Sequence, residues 1–360
     1  MNLVLTGPMG VGKTTVGMRV ARVLGWEFSD TDTIIVQRAG HSIKEIFAKE
    51  GERRFRTIES NVIKEVSKKD GTVIATGGGV VLDPQNMRRL RSNGVIVNLE
   101  AAPAVLLKRL KKVTDRPLLT DLDGLKRLLK ERVSVYSNAD HRIDTSKLTI
   151  DEVVERAYMI ALMPLVKICG CISGDKAQED IRTAVENGVS MIELRLDLIP
   201  DPDVRKLVQM SAVPVLATDR DNKKHLIEAI RAGCDLVDIE YDSLKKDEII
   251  RLAKKLGCKV IVSFHEYEEV PKRVPDKGEA DLLKLAVFVN SKEDMRDLIG
   301  LYGHRNDIII VGMGPQGVHM RVIAPLLGSY LTFCYIREKT APGQLQLGTM
   351  NKIYKDLGLR

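Results

Sequence analysis

Short apolar runs alternate with longer amphipathic segments along the whole chain, and the grammar changes at Met163-Pro164. Before that point NLVLTG, TVIATGGG and GVIVNLE have strand length. They are separated by segments such as TTVGMRVARVLG and DGLKRLLKERVSVY, whose apolar positions recur at helical spacing. This predicts an open parallel α/β sheet layered by helices. After it, eight apolar runs follow: VKICGCI, MIELRLDL, VPVLATD, DLVDIEY, KVIVSFHE, DLLKLAVFV, DIIIVGMG and YLTFCY. Most are separated by helix-length amphipathic stretches such as QEDIRTAVENG and KDEIIRLAKKLG. Eight such units in about 200 residues predict a (β/α)8 TIM barrel, in which functional groups sit at the carboxyl ends of the strands. The proline stops the preceding helix, so the expected units are 1–163 and 164–360. No Gly/Ser-rich or Pro-rich linker joins them, and close packing is expected.

Composition changes this picture little. Of the 360 residues 44% are hydrophobic and 29% charged, ordinary for globular chains, which excludes disorder and collagen-like structure. No apolar run approaches a membrane span, and the start MNLVLTG has no basic n-region or cleavage site, so a soluble, cytoplasmic protein is expected. The five cysteines all follow position 168. Cys169 and Cys171 alternate within VKICGCI, but no second cysteine pair or histidine cluster completes a metal site, and reduced, buried thiols are the expectation.

Charge is more informative. Residues 1–163 carry 27 Lys and Arg against 20 Asp and Glu, whereas the rest balance at 29 each, so the net +7 belongs to the first unit. With aromatics at 4% there are few platforms for stacking single-stranded nucleic acid. A small phosphorylated or carboxylated ligand accounts for the charge as well.

The strongest motif is Gly7-Pro-Met-Gly10-Val-Gly12-Lys13-Thr14-Thr15, which follows a strand run and opens a helical pattern. Glycines there let backbone N–H groups face phosphate oxygens, Lys13 reaches the β/γ-phosphates, and Thr14 ligates Mg²⁺. A nucleoside triphosphate site is predicted. Downstream, Asp30 and Asp32 flank Thr31 at the end of the second strand. They suit one group near Mg²⁺ and one on an acceptor hydroxyl, or a plain helix cap. Gly77, Gly78 and Gly79 follow a strand and permit close ligand approach. Arg56, Arg109, Arg116 and Arg132 suit phosphate and carboxylate recognition if they converge.

In this order and spacing the P-loop, Asp-Thr-Asp, the Glu52-to-Arg56 stretch, the triple glycine and Arg116-Pro-Leu-Leu resemble shikimate kinase, over essentially all of residues 1–160. The resemblance implies ATP-dependent phosphorylation of the 3-hydroxyl of shikimate. Asp32 would deprotonate that hydroxyl, Asp30 would organise Mg²⁺ through water, and Arg56 and Arg132 would bind the carboxylate. Gly77 to Gly79 would line the ring, Arg116 would close from a lid near 111–123, and Arg109 would stack on adenine. Lys130-Glu-Arg132-Val-Ser-Val-Tyr136 departs from the family's usual Arg-x-Pro-Leu-Tyr.

In the second unit, Glu193, Arg195 and Asp197 alternate along MIELRLDL and are expected to share one face. Charges in such a strand are costly unless paired or used. Lys284 lies inside DLLKLAVFV. Desolvation disfavours the ammonium form, which is what Schiff-base chemistry asks of a lysine. His265 ends KVIVSFHE. A lone strand histidine is more often a satisfied core group, but a lysine on the next strand turns the reading toward catalysis. Arg321 would clamp an anion, and Thr340 and Gln344 follow the eighth strand.

Glu-Leu-Arg-Leu-Asp-Leu, Val-Ser-Phe-His265, Asp-Leu-Leu-Lys284, Met-Gly-x-x-Gly-x-x-x-Arg321 and Thr340-Ala-Pro-Gly-Gln344 resemble type I 3-dehydroquinate dehydratase over about residues 165–355. The resemblance implies an imine between Lys284 and the ketone of 3-dehydroquinate, with His265 moving the proton and no dissociable cofactor. Arg321 would bind the carboxylate, Glu193, Arg195 and Arg220 the ring hydroxyls, and Thr340 and Gln344 would reach the substrate from a closing loop. Two departures stand out. Lys224 occupies the place of a glutamate that supports the histidine, and the segment between His265 and Lys284 looks too short for the fifth helix.

The leading expectation is a bifunctional shikimate-pathway enzyme acting on ATP, shikimate and 3-dehydroquinate, with neither nucleic acid nor membrane as partner. A homodimer through the barrel is a further expectation. The alternative keeps the kinase active and makes the barrel a weakly active or non-catalytic scaffold or regulatory domain.

Overall fold

The computed structural model describes residues 1–110, 126–127, 129–130, 136, 139–163, 166–221, 223–302, 305 and 307–359. The chain divides into two units, Met1–Met163 and Pro164–Arg360. No helix among the described residues is long and apolar enough to cross a membrane.

The first unit is a five-stranded parallel sheet in the order β2-β3-β1-β4-β5. Its strands are β1 (Asn2–Thr6), β2 (Glu27–Asp30), β3 (Thr72–Ala75), β4 (Gly94–Glu100) and β5 (His141–Asp144). β1 and β3 are buried throughout, as continuous apolar runs in a helix-covered parallel sheet must be. The carboxyl ends of neighbouring β1, β2 and β3 deliver the P-loop, the Asp30–Asp32 turn and the triple glycine to one edge. The helix Ile43–Val66 begins at a capping box made by Ser42 and Glu45 and is broken at Gly51, where φ is 79°. That break precedes the turn carrying Arg56 and Glu59.

The second unit carries all eight expected strands: β6 (Ile168–Ile172), β7 (Met191–Arg195), β8 (Val215–Thr218), β9 (Leu236–Glu240), β10 (Lys259–Glu266), β11 (Leu282–Phe288), β12 (Ile308–Met313) and β13 (Thr332–Tyr335). They pair in parallel in the order β12-β11-β10-β9-β8-β7-β6-β13, and a two-residue β14 (Leu345–Gln346) adds beside β13. The Tyr330 N–H donates to the Ile308 carbonyl at 2.9 Å across the seam where β12 and β13 meet. This is the curled parallel sheet of a (β/α)8 barrel.

Alternation sorts the side chains. Cys169, Met191, Leu216, Leu236, Ile261, Leu282, Ala286 and Ile309 form one buried cluster, and the opposite strand faces pack on the helices. Lys284 shares the parity of Leu282 and Ala286, so it points inward. Residues 267–281, between β10 and β11, contain no helix, as the short sequence suggested. One expectation changes: β7 ends at Arg195, so Asp197 lies in the following turn instead of on the strand face. Asp197 accepts from Arg195 at 2.6 and 3.0 Å, which settles both charges locally.

Candidate active sites

The P-loop adopts the backbone its glycines allow, with φ of 80° at Gly10 and 109° at Gly12. The helix Lys13–Leu24 starts immediately after it. Lys13 Nζ donates to the Gly7 carbonyl at 2.7 Å and the Pro8 carbonyl at 3.0 Å, so the ammonium sits over the loop it serves. Thr14 Oγ1 donates to Asp30 Oδ2 at 2.7 Å, while Asp30 Oδ1 caps the helix Thr31–Ala39 through the Thr33 N–H at 3.1 Å. Asp30 is therefore both a helix cap and a neighbour of the P-loop hydroxyl. Thr15 is exposed beside Thr14.

Across from the loop, a Cβ on Gly77 would lie 2.6 Å from Asp32 Oδ1, and one on Gly79 would lie 2.6 Å from an Arg56 guanidinium nitrogen. A side chain at either position would push these groups aside. Arg56 donates to Glu59 at 2.7 Å and to Glu52 at 3.1 Å. Burial pushes the Glu59 carboxyl up, and the Arg56 guanidinium opposes that shift. Tyr136 donates to the Gly78 carbonyl at 2.9 Å. Arg109 donates to the Thr145 hydroxyl at 2.9 Å, the Thr145 carbonyl at 2.8 Å and the Val11 carbonyl at 3.3 Å, tying its helix to the P-loop.

In the barrel, a cavity of about 650 Å³ is lined by Glu193, Arg220, His265, Lys284, Arg321 and Gln344, among others, with Arg195 and Thr340 also on its wall. Ser263 on β10 pairs with Lys284 on β11, so His265 lies two residues further along the neighbouring strand, on the same face. Lys284 is 6% exposed and donates to Asp238 at 2.6 Å. Asp238 is fully buried, which alone would raise its carboxyl. Arg220 and Lys284, with a short hydrogen bond from Ser263, hold it far below the ordinary carboxylate range. Burial lowers Arg321 to about 10, against the partial opposition of Cys171 and Glu193. One Arg321 nitrogen donates to the Pro342 carbonyl at 3.0 Å. Its Nε is buried with no hydrogen-bond partner among the described residues.

The family profile described as Shikimate kinase matches residues 9–160, and that described as Type I 3-dehydroquinase matches residues 168–360. The chain belongs to both families. The shikimate kinase of Caldanaerobacter subterraneus subsp. tengcongensis is 51% identical over 164 residues, which is 44% of this chain and 96% of the relative. That of Thermodesulfovibrio yellowstonii is 49% identical over 158 residues, 43% of this chain and 91% of the relative. The crystal structure of the 3-dehydroquinate dehydratase from Aquifex aeolicus covers 53% of this chain and 98% of its own, at 24% identity and a TM-score of 0.47. This is a bifunctional shikimate-pathway enzyme, a kinase followed by a dehydroquinase, and nothing favours a non-catalytic barrel.

In the kinase unit Lys13, Thr14, Asp30, Asp32, Arg56 and Gly77 to Gly79 gather around the ends of β1, β2 and β3. Arg116, Arg132 and the lid near 111–123 lie outside the described residues. In the dehydroquinase unit all the expected residues line one cavity. Gln344 turns its amide inward: its oxygen accepts from the Thr340 and Ala341 N–H groups at 2.8 and 3.2 Å, and its nitrogen donates to the Cys171 sulfur at 3.2 Å. Its bonds therefore hold the 340–344 turn.

Four groups were not singled out as site residues in the sequence. Cys171 donates to Glu193 at 2.8 Å, and burial together with that carboxylate pushes its thiol well up. Thr218 donates to the other Glu193 oxygen at 2.7 Å. Asp238 and Glu240 alternate along DLVDIEY as Glu193 and Arg195 do along their strand, and that parity was the available signal. All five cysteines are buried, and none is in a disulfide.

Proposed function

We propose that the kinase unit transfers the terminal phosphoryl group of ATP to the 3-hydroxyl of shikimate. The hydroxyl oxygen bonds to phosphorus as the bond to the ADP oxygen breaks, and Asp32 accepts the hydroxyl proton. Lys13 would exchange its loop carbonyls for phosphate oxygens, and Arg56, backed by Glu59, would hold the substrate carboxylate. Thr14 and Asp30 are adjacent hydroxyl and carboxylate donors, which suits a hard divalent cation, and they would hold Mg²⁺ directly or through water. Mg²⁺ would neutralise phosphate charge. Arg116 and Arg132 are assigned to the lid and the carboxylate, and Arg109 to the adenine, on resemblance. The observation carrying this reading is the seat of Asp32 against Gly77.

In the dehydroquinase unit, the Lys284 ammonium leaves its hydrogen bond to Asp238 and gives up a proton to solvent, and the resulting amine attacks the ketone of 3-dehydroquinate, with water leaving as the imine forms. The imine acidifies the adjacent C–H. His265 takes that proton, the C–H electron pair becomes an enamine double bond, and the β-hydroxyl departs as water with a proton returned by His265. Hydrolysis of the imine then frees 3-dehydroshikimate and the lysine, for a net loss of one water. Arg321, buried with an unpartnered Nε, would take the substrate carboxylate. Glu193, Arg195 and Arg220 are assigned to the ring hydroxyls and Thr340 with Gln344 to the loop above. Lys284 and His265 facing one cavity from neighbouring strands support this most directly.

Both activities are to be measured in the full chain. Lys13→Ala should abolish phosphorylation of shikimate and spare dehydration, and Lys284→Ala should do the reverse. Borohydride with dehydroquinate should leave a mass adduct on Lys284. No adduct, with the kinase still active, overturns the dehydratase assignment. Failure of shikimate as acceptor overturns the kinase assignment.

A further inference from the structure

The acidic end of β9 takes no part in the steps above, yet it touches the proton-transfer group. The family's histidine-supporting glutamate is replaced by Lys224, which is exposed on the helix Lys223–Ala232. His265 nevertheless has a carboxylate partner: its Nδ1 lies 3.1 Å from Glu240 Oε2. The contact follows from register. Glu240 closes β9 opposite Ser263, and His265 is the next residue of the same parity on β10. The other Glu240 oxygen is held by Arg220 in a short ion pair.

Burial pushes the Glu240 carboxyl up, but the hydrogen bond with His265 and the charge of Arg220 prevail, and it lies below its ordinary value. Glu240 is therefore a carboxylate at neutral pH, and a carboxylate can only accept. Nδ1 must carry the hydrogen, which leaves Nε2 as the nitrogen with a lone pair for the substrate proton.

We propose that Glu240 is the positioning residue for His265 in this chain, supplying from β9 the carboxylate that the sequence lacks at position 224. The inference rests on the dehydratase reading and concerns how its base is oriented. In the full chain, Glu240→Gln should lower the dehydratase kcat by roughly 10- to 100-fold, with KM moving by less than about threefold. The borohydride adduct on Lys284 should form in undiminished yield, because imine formation does not need the histidine's orientation.

Two results overturn the proposal: a Glu240→Gln kcat within about twofold of the unaltered chain, or loss of the adduct in parallel with turnover. If the unaltered chain neither dehydrates dehydroquinate nor forms the adduct, the dehydratase reading itself fails and the proposal falls with it. That outcome is distinct, because it appears before any variant is compared.

Discussion

Lys284 on β11 and Asp238 on β9 are joined by a 2.6 Å hydrogen bond across the intervening strand β10, inside the barrel. Forty-six residues separate them in sequence. The pair explains how a lysine can sit 6% exposed among apolar side chains, and why Asp238 stays ionised at full burial. Removing the Asp238 charge leaves the buried Lys284 ammonium without this partner, whereas Asp238 also has Arg220 at 3.2 Å.

Asp238→Asn should destabilise the protein at pH 7 by on the order of 3 kcal/mol, the usual cost of leaving a buried ion without its partner. The acid limb should change as well. Because the carboxyl is lowered from its ordinary 3.8, the unfolded chain binds more protons than the folded one between the two values. Its stabilising contribution is complete above about pH 4 and is lost as pH falls through the folded value. Urea unfolding followed by far-UV circular dichroism should show a shallower acid loss in Asp238→Asn. An unchanged acid slope contradicts this account.

Arg321 is 1% exposed, and its Nε lacks a partner among the described residues. Arg321→Met should raise the KM for dehydroquinate by roughly 10²-fold, the worth of a charge-assisted hydrogen-bond pair. Shikimate phosphorylation by the same chain should be untouched. Steady-state kinetics of both reactions on one preparation read this out, and an unchanged dehydroquinate KM rules out the anion clamp.

Gly77 and Gly79 make separable predictions in the kinase unit. Gly79→Ala pushes on the Arg56 guanidinium and should raise the shikimate KM by about tenfold or more. Gly77→Ala pushes on the Asp32 carboxylate and should lower kcat by a factor on the order of 10². The KM for ATP should move little in either variant. Initial rates varied in both substrates distinguish the two, and equal effects on ATP and shikimate would argue for general distortion.

Cys171 joins Glu193 to Gln344 through its sulfur. Cys171→Ser keeps a donor and acceptor at shorter reach and should hold the dehydroquinate KM within about threefold, whereas Cys171→Ala should raise it by about tenfold. The kinetic comparison of the pair tests whether the sulfur orders the 340–344 turn.

Element order, parallel topology and the positions of Lys284, His265 and the P-loop were legible in the sequence alone. Periodicity of two in strands and near 3.6 in helices is local, and so is the backbone freedom of Gly10 and Gly12. The eight strand runs of the barrel could be read for the same reason. Partnership could not be read in this way. The segment MIELRLDL suggested a third charge on the same strand face at Asp197, but β7 stops at Arg195, and an ion pair with Arg195 takes up that carboxylate. Lys224 suggested an unsupported histidine, yet the closeness of β9 and β10 in the curled sheet brings Glu240 to His265. Hydrogen bonds act over about 3 Å of space and are indifferent to the distance along the chain. Residue type and spacing therefore state which chemistry is available, while sheet register and curvature settle which charge meets which.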